Sequence, residues 1–411
     1  MRVILCYILF LLPQFSAGQA HGCDFDSRFK PGKDETAYSS FQERIRKALA
    51  QPSIRTRSVV YLPVVIHVVA RDPVQPVSMA QALNQLDLLN ADFAGEGDNI
   101  AALEEEFIPL VADVQFQFCL ATVGPDGQPT SGITYTATEV KDIALQTGEG
   151  GRMAIHYDQL GGKTGWDPAR YINIWIGEYG GLLGSASFPG MASYTEEIGV
   201  IIDPRYFGSI GDAGMSGFFS GGHTLTHEMG HFFGLKHIWG NGVEASCTDS
   251  DDVEDTPNAE GPYYDCPSGA QMTCGANNMY QNFMDFTDDR CLAAFTHGQA
   301  DVMQAVLDSY YPLLITQGNC VSPAETFTTW YDQLIWAHDQ PSNTYVIYAA
   351  ENWMGQKNIG VYSADGKQVL RDTWEDQQSF LLDLAHVSAG VYFVRIDDGG
   401  KKFVRKVVVY Q

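Results

Sequence analysis

His227-Glu228-Met229-Gly230-His231-Phe232-Phe233-Gly234-Leu235-Lys236-His237 is the stretch from which the rest of the chain can be read. Gly221-Gly222 precede it, and Leu225, Met229, Phe232 and Phe233 then keep helical spacing, which predicts an amphipathic helix. On that helix His227 and His231, four residues apart, share a face and can reach one ion. Gly234 tolerates positive φ, so it can end the helix and bring His237 to the same ion from another direction. Three neutral imidazoles leave the fourth position of a tetrahedral Zn²⁺ open to water, the arrangement of a catalytic rather than a structural site. Glu228, next to the first histidine, stands beside that water as general base. His223, one turn earlier, is read as outside the ligand set.

Upstream of this helix the pattern is that of a sheet. Val59–Val69 is a nearly unbroken apolar run and predicts a buried strand. Residues 78–93 predict a helix whose apolar stripe is interrupted by Asn90, and Val114–Leu120, Tyr171–Ile176 and Gly199–Ile202 predict further strands. Residues 297–309 read as a last helix. From about residue 325 short alternating segments separated by turn signals, such as Asp365-Gly366, predict an all-β appendage. The expected fold is thus α/β (α+β), a mixed sheet with an active-site helix followed by a small β-sandwich. The expected division is 1–20, 21–57, 58–322 and 323–411.

Composition narrows the function. The 411 residues carry 25 Lys+Arg against 50 Asp+Glu, a net charge of -25, which argues against nucleic acid as a partner. The charge is uneven: residues 21–57 carry +3 and residues 58–324 carry -26. No apolar run approaches the ~18 residues of a membrane span. Met1-Arg2, an apolar centre at 3–12 and the small residues Ser16, Ala17, Gly18 and Ala20 describe a secretory signal peptide. Of eight cysteines, Cys6 leaves with that peptide, and four of the remaining seven fall at 247, 266, 274 and 291 in a loop-like segment with no C-x-x-C pair. Disulfides are expected there, in any of three pairings.

The extended histidine motif, followed by Asn282-Phe283-Met284-Asp285-Phe286-Thr287-Asp288-Asp289-Arg290-Cys291, resembles the pappalysin family of metzincin metalloproteases over roughly residues 58–315. The resemblance implies a zinc endopeptidase acting on proteins and peptides, with Met284 as the Met-turn methionine beneath the metal. It implies disulfides Cys247–Cys274 and Cys266–Cys291. It implies calcium near Asp255-Thr256-Pro257, where Asp252, Asp255 and Thr256 are the expected ligands; the acidic run 249–256 is also what hard Ca²⁺ requires. Cleavage beside Arg or Lys on the primed side is implied too, with Asp289 as the acid of the specificity pocket. One residue departs from the family pattern: Phe286 stands where a tyrosine is usual, and loss of a phenolic donor to the oxyanion predicts a slower enzyme. A second reading, a surface-binding or adhesion protein with an impaired protease-like domain, rests on Phe286 alone.

If Cys119 pairs with Cys320, Cys23 is left over. Its thiolate could take the open zinc position and hold a zymogen silent until the segment is removed near Arg55-Thr56-Arg57, the +3 charge helping it dock. A disulfide or a lipid anchor are the other uses of Cys23. Finally, Ile359–Lys367, Leu384–Ile396 and Lys401–Val409 resemble C-terminal sorting domains of the type IX secretion system. That likeness implies export through that machinery to the cell surface or beyond.

Overall fold

The computed structural model describes Cys23 and residues 35–50, 59–315 and 334–409, apart from short segments at 72–76, 129, 241–245, 340–343, 350–355, 364–365, 375–378 and 398–401. The leader at 1–20, the Arg55–Arg57 cut region, Cys320 and the boundary at 322/323 therefore lie outside the described residues.

A 15-residue helix α1 (Glu35–Leu49) comes first, then strand β1 (Val60–Ala70) and helix α2 (Met79–Ala94). Strands β2 (Phe116–Leu120), β3 (Ile133–Ala137), β4 (Ile172–Ile176), β5 (Gly184–Ala186) and β6 (Val200–Ile202) complete a six-stranded sheet. Its order is β2-β1-β4-β6-β5. The long β1 pairs in parallel with β2 through residues 60–64, with β3 through 66–70 and with β4 through 64–68. β5 is the one antiparallel member and forms an edge against β6. β1 is buried on both faces, which is why its sequence reads as a continuous apolar run rather than an alternation. Leu62, Val64, Ile66 and Val68 enter the main core, and Val69 enters a smaller cluster with Trp175 and Ile201 on the other side.

The main core lies between the sheet and helices α2, α3 (His223–Phe232) and α4 (His297–Tyr310). Ser78 caps α2 at its start, and Gly95, at φ 67°, ends it. Asn90, the break in the α2 stripe, is half-buried and clamps β2: its side chain donates to Phe118 O and accepts from Phe118 N at 2.9 and 2.7 Å. Thr296 and Gln299 cap α4 reciprocally. Between α3 and α4 the chain is irregular, its described residues holding only the short hairpin β7 (Met272–Thr273) and β8 (Ala276–Asn277). Disulfides Cys247–Cys274 and Cys266–Cys291 staple it, in the pairing the resemblance implies. Cys119 is disulfide-bonded as well, and Cys23 is in no disulfide.

The C-terminal region is a sandwich of two antiparallel sheets. Strands β9 (Leu334–Asp339), β10 (Thr344–Ala349) and β13 (Ser379–Asp383) form one, and β11 (Lys357–Ser363), β12 (Gln368–Trp374), β14 (Gly390–Asp397) and β15 (Lys402–Val409) form the other. Ile347 and Leu382 from the first meet Ile359, Val361, Val394 and Ile396 from the second in a separate core.

Charge is not all that seats the basic segment before β1: its helix α1 is held by apolar side chains too, with Phe41 and Ile45 buried in the main core. The i, i+4 spacing of those two residues is the signal that a charge count passes over. Strands β3 and β5 went unread because only Ile133 of β3 is buried, leaving no apolar alternation, and β5 is three residues long.

Candidate active site

Helix α3 is buried along its whole length beneath the sheet edge. It is packed so tightly because Gly230 has no side chain: a Cβ there would overlap Met284 Sδ. Met284, fully buried, thus lies directly under the turn that carries His227 and His231. The helix ends at Phe232, and Gly234, at φ 88°, reverses the chain so that Leu235 N donates to Gly230 O and His237 returns toward the helix.

The three imidazoles converge. His231 Nε2 and His237 Nε2 are 3.2 Å apart, and the ligand atoms of His227, His231, His237 and Cys23 all lie within 4.8 Å of one another. Two nitrogens sharing one tetrahedral Zn²⁺ at about 2.0–2.1 Å would be ~3.3 Å apart, so the donor set fits that ion. The tautomers fit as well. His227 Nδ1 lies 2.7 Å from Phe283 O and His231 Nδ1 lies 2.8 Å from Leu235 O. Each carbonyl takes an Nδ1–H, which turns the Nε2 lone pair inward. Burial, then the neighbouring His237 and His227, push the His231 pKa well below the ordinary value, so the ring stays neutral and able to ligate. His237 stacks on Trp239, with ring centroids 4.5 Å apart. Phe286 stands edge-on to His237 at 4.7 Å, an apolar wall with no hydroxyl to offer.

Glu228 is buried and lines a cleft with Cys23, His227, Phe286 and Asp289. Edge strand β5 passes close by, since a Cβ on Gly184 would come within 2.9 Å of Glu228 Cγ. Cys23 forms a parallel β-bridge with that same Gly184, at the sheet edge beside the cluster.

The expected specificity acid also holds the fold. Asp289 is buried, and its Oδ2 accepts from Gly221 N at 2.8 Å and His223 N at 3.3 Å, at the start of α3. Burial raises its pKa, partly offset by His223. Asp285, also at the cleft, accepts from Tyr263 N and Phe286 N, and burial pushes its carboxyl well above the usual range. The expected calcium ligands have separate partners. Asp252 accepts from Tyr38 and Gln42 of α1 and pairs with Lys236 at 3.0 Å; Asp255 accepts from Thr296 Oγ1 and Gly298 N at the start of α4; Thr256 Oγ1 donates to Asp251.

Sequence reading missed Asp92. This buried α2 carboxylate accepts from Thr226 Oγ1 and pairs with His223 Nδ1 at 2.8 Å, linking α2 to the α3 turn just before His227. Burial alone would lower the His223 pKa, but Asp92 and Asp289 outweigh it and hold it above the ordinary histidine value. The available signal was a carboxylate on the core-facing side of a helix.

Comparisons with known proteins agree with this geometry. The peptidase family model described as pregnancy-associated plasma protein-A matches residues 157–308, and that of a secretion system C-terminal sorting domain matches 340–410. An extracellular metalloprotease of Colletotrichum graminicola is 33% identical over 211 residues, covering 49% of this chain and 70% of the relative. One from Arthroderma benhamiae is 43% identical over 82 residues, and there the chain spans only 29% of the relative's length. Among solved structures, a mutant of Tannerella forsythia promirolysin aligns with TM-score 0.63 at 30% identity, over 75% of this chain and 98% of that one. Mature mirolysin in complex with a cleaved peptide aligns with TM-score 0.59 at 33% identity, over 66% and 99%. The sorting domain marks the protein as secreted or held at the cell surface, and among the described residues no helix is long and apolar enough to cross a membrane. With its histidine cluster, its Met284 floor and these relatives, the chain belongs to the pappalysin family of metalloproteases.

Proposed function

We propose that the protein is a secreted zinc endopeptidase made as a latent precursor, with His227, His231 and His237 holding the metal and Glu228 as general base. The observation that carries this is the convergence of three buried imidazoles next to a buried carboxylate at an open cleft. Zinc bound there supplies Lewis-acid polarisation of the scissile carbonyl and acidifies water. Glu228 takes the proton of the attacking water and passes it to the leaving amine. β5 is an edge strand, and with Cys23 withdrawn from its bridge to Gly184 it would offer an extended substrate backbone to pair with. Cys23, whose sulfur lies within 4.8 Å of the imidazole nitrogens, would serve as a further ligand to the metal in the precursor. The division into leader 1–20, pro-segment 21–57, catalytic region 58–322 and sorting domain 323–411 belongs to the same proposal. So does passage through the type IX machinery.

For substrates we propose Arg or Lys on the primed side. The cleft is lined by Asp285 and Asp289, within a body of charge -26 that favours cationic peptides. Since Asp289 Oδ2 is engaged at the start of α3, its other carboxylate oxygen is the one proposed to meet the substrate. Calcium is the second proposed cofactor, on the 249–256 loop, where in the precursor α1 competes for the Asp252 carboxylate.

Four measurements test these statements. In the matured enzyme, Glu228→Ala should keep its zinc and lower the rate of casein hydrolysis by ~10²–10⁴-fold; hydrolysis at the wild-type rate would remove the basis of the mechanism. A peptide-library profile should be richest in Arg and Lys immediately after the scissile bond, and a profile led by apolar residues would refute the specificity. Phe286→Tyr should raise kcat, by as much as ~10² if the new phenol donates to the oxyanion. An unchanged kcat would mean Phe286 costs nothing. With zinc kept saturated, removing calcium by chelation should lower the melting temperature of the matured enzyme, and an unaltered melting curve would strike calcium from the proposal.

A further inference from the structure

Helix α1 is attached to the body at a place separate from Cys23. Phe41 packs edge-on against Phe188 at 4.8 Å and lies tilted to Tyr310 at 5.9 Å, and its ring fills the space left open by Gly234. Ile45 is buried one turn later. Polar contacts fix the register: Tyr38 Oη donates to Asp252 at 2.6 Å, Gln42 Nε2 donates to the same oxygen at 2.9 Å, and Arg44 donates to Ser309 O while its guanidinium lies 4.4 Å over the Tyr310 ring. These partners come from α4, the Gly234 turn, the 249–256 loop and the segment after β5. Together they form a groove for one amphipathic helix.

We propose that this groove retains α1 after the chain is cut. In that case the 21–57 fragment stays bound as a non-covalent inhibitor once residues 51–57 are cleaved, and activation needs a second event that expels or destroys α1. The proposal rests on reading 21–57 as a pro-segment. A helix with two buried anchors and three polar contacts does not depend on the Cys23 thiol for its place. Cleavage downstream breaks one peptide bond and none of these contacts. Because its carboxylate partner also pairs with Lys236, the residue before His237, the helix closes over the chain that carries the third imidazole.

The test uses the full chain in a Glu228→Ala background, with a site-specific protease recognition sequence in place of residues 51–57. After cutting, release of the 21–50 fragment is followed by native mass spectrometry and size exclusion. With Cys23→Ala added, the fragment should still co-elute with the body. Adding Phe41→Ala should speed its release about a hundredfold, in line with losing a buried aromatic. Arg44→Ala, an exposed substitution that spares the core, should speed it about tenfold and covers the case in which the Phe41 variant does not fold. Immediate loss of the fragment from the Cys23→Ala chain, or release rates indifferent to both helix substitutions, would overturn the proposal. Because the readout is retention rather than hydrolysis, it fails or holds independently of the catalytic reading.

Discussion

Two backbone carbonyls, Phe283 O and Leu235 O, decide which nitrogen His227 and His231 present to the site. One carbonyl belongs to the segment that also delivers Met284, and the other follows the Gly234 turn. The orientation of the imidazoles is therefore inherited from the backbone path, and only a tightly closed path can supply it. Gly230 permits that closure by letting Met284 touch the helix, and Gly234 permits it by turning where a side chain would meet Phe41 and Val306. His227 and His231 thus keep Nδ1 occupied and turn Nε2 toward the cluster.

Helix α2 does much of the polar work that sets α3 in place. Gln85 donates to Gly222 O and accepts from Gly208 N, Asn90 clamps Phe118, and Asp92 holds His223 and Thr226. Buried groups of this kind are costly unless every one is satisfied, so they act as register marks: α3 started one residue earlier or later would leave a carboxylate stranded. Stability and catalytic geometry draw on the same contacts.

What could be read in advance follows from the range of the interactions involved. The β1 run, the Asn90 break, the histidine spacing and the Gly234 turn are local patterns, and all were legible. Asp92 was not, because its meaning lies in residues more than a hundred positions away. Asp289 was legible as an acid at the cleft but not as the cap of α3, and α1 was legible as charge but not as an apolar anchor. Strand β5 carries too few residues to have a period, yet it forms the cleft edge that Cys23 pairs with.

The crosslinks carry a consequence for where the molecule can be finished. The bonds 247–274 and 266–291 overlap in sequence, and the second encloses Met284 and Phe286. Each closed loop removes roughly 3 kcal/mol of freedom from the unfolded chain in the entropic account. A newly made polypeptide in a reducing cytoplasm lacks both ties around the floor of its own metal centre. Oxidation after export thus completes the floor of the metal centre, because these ties form and persist only beyond the reducing cytoplasm.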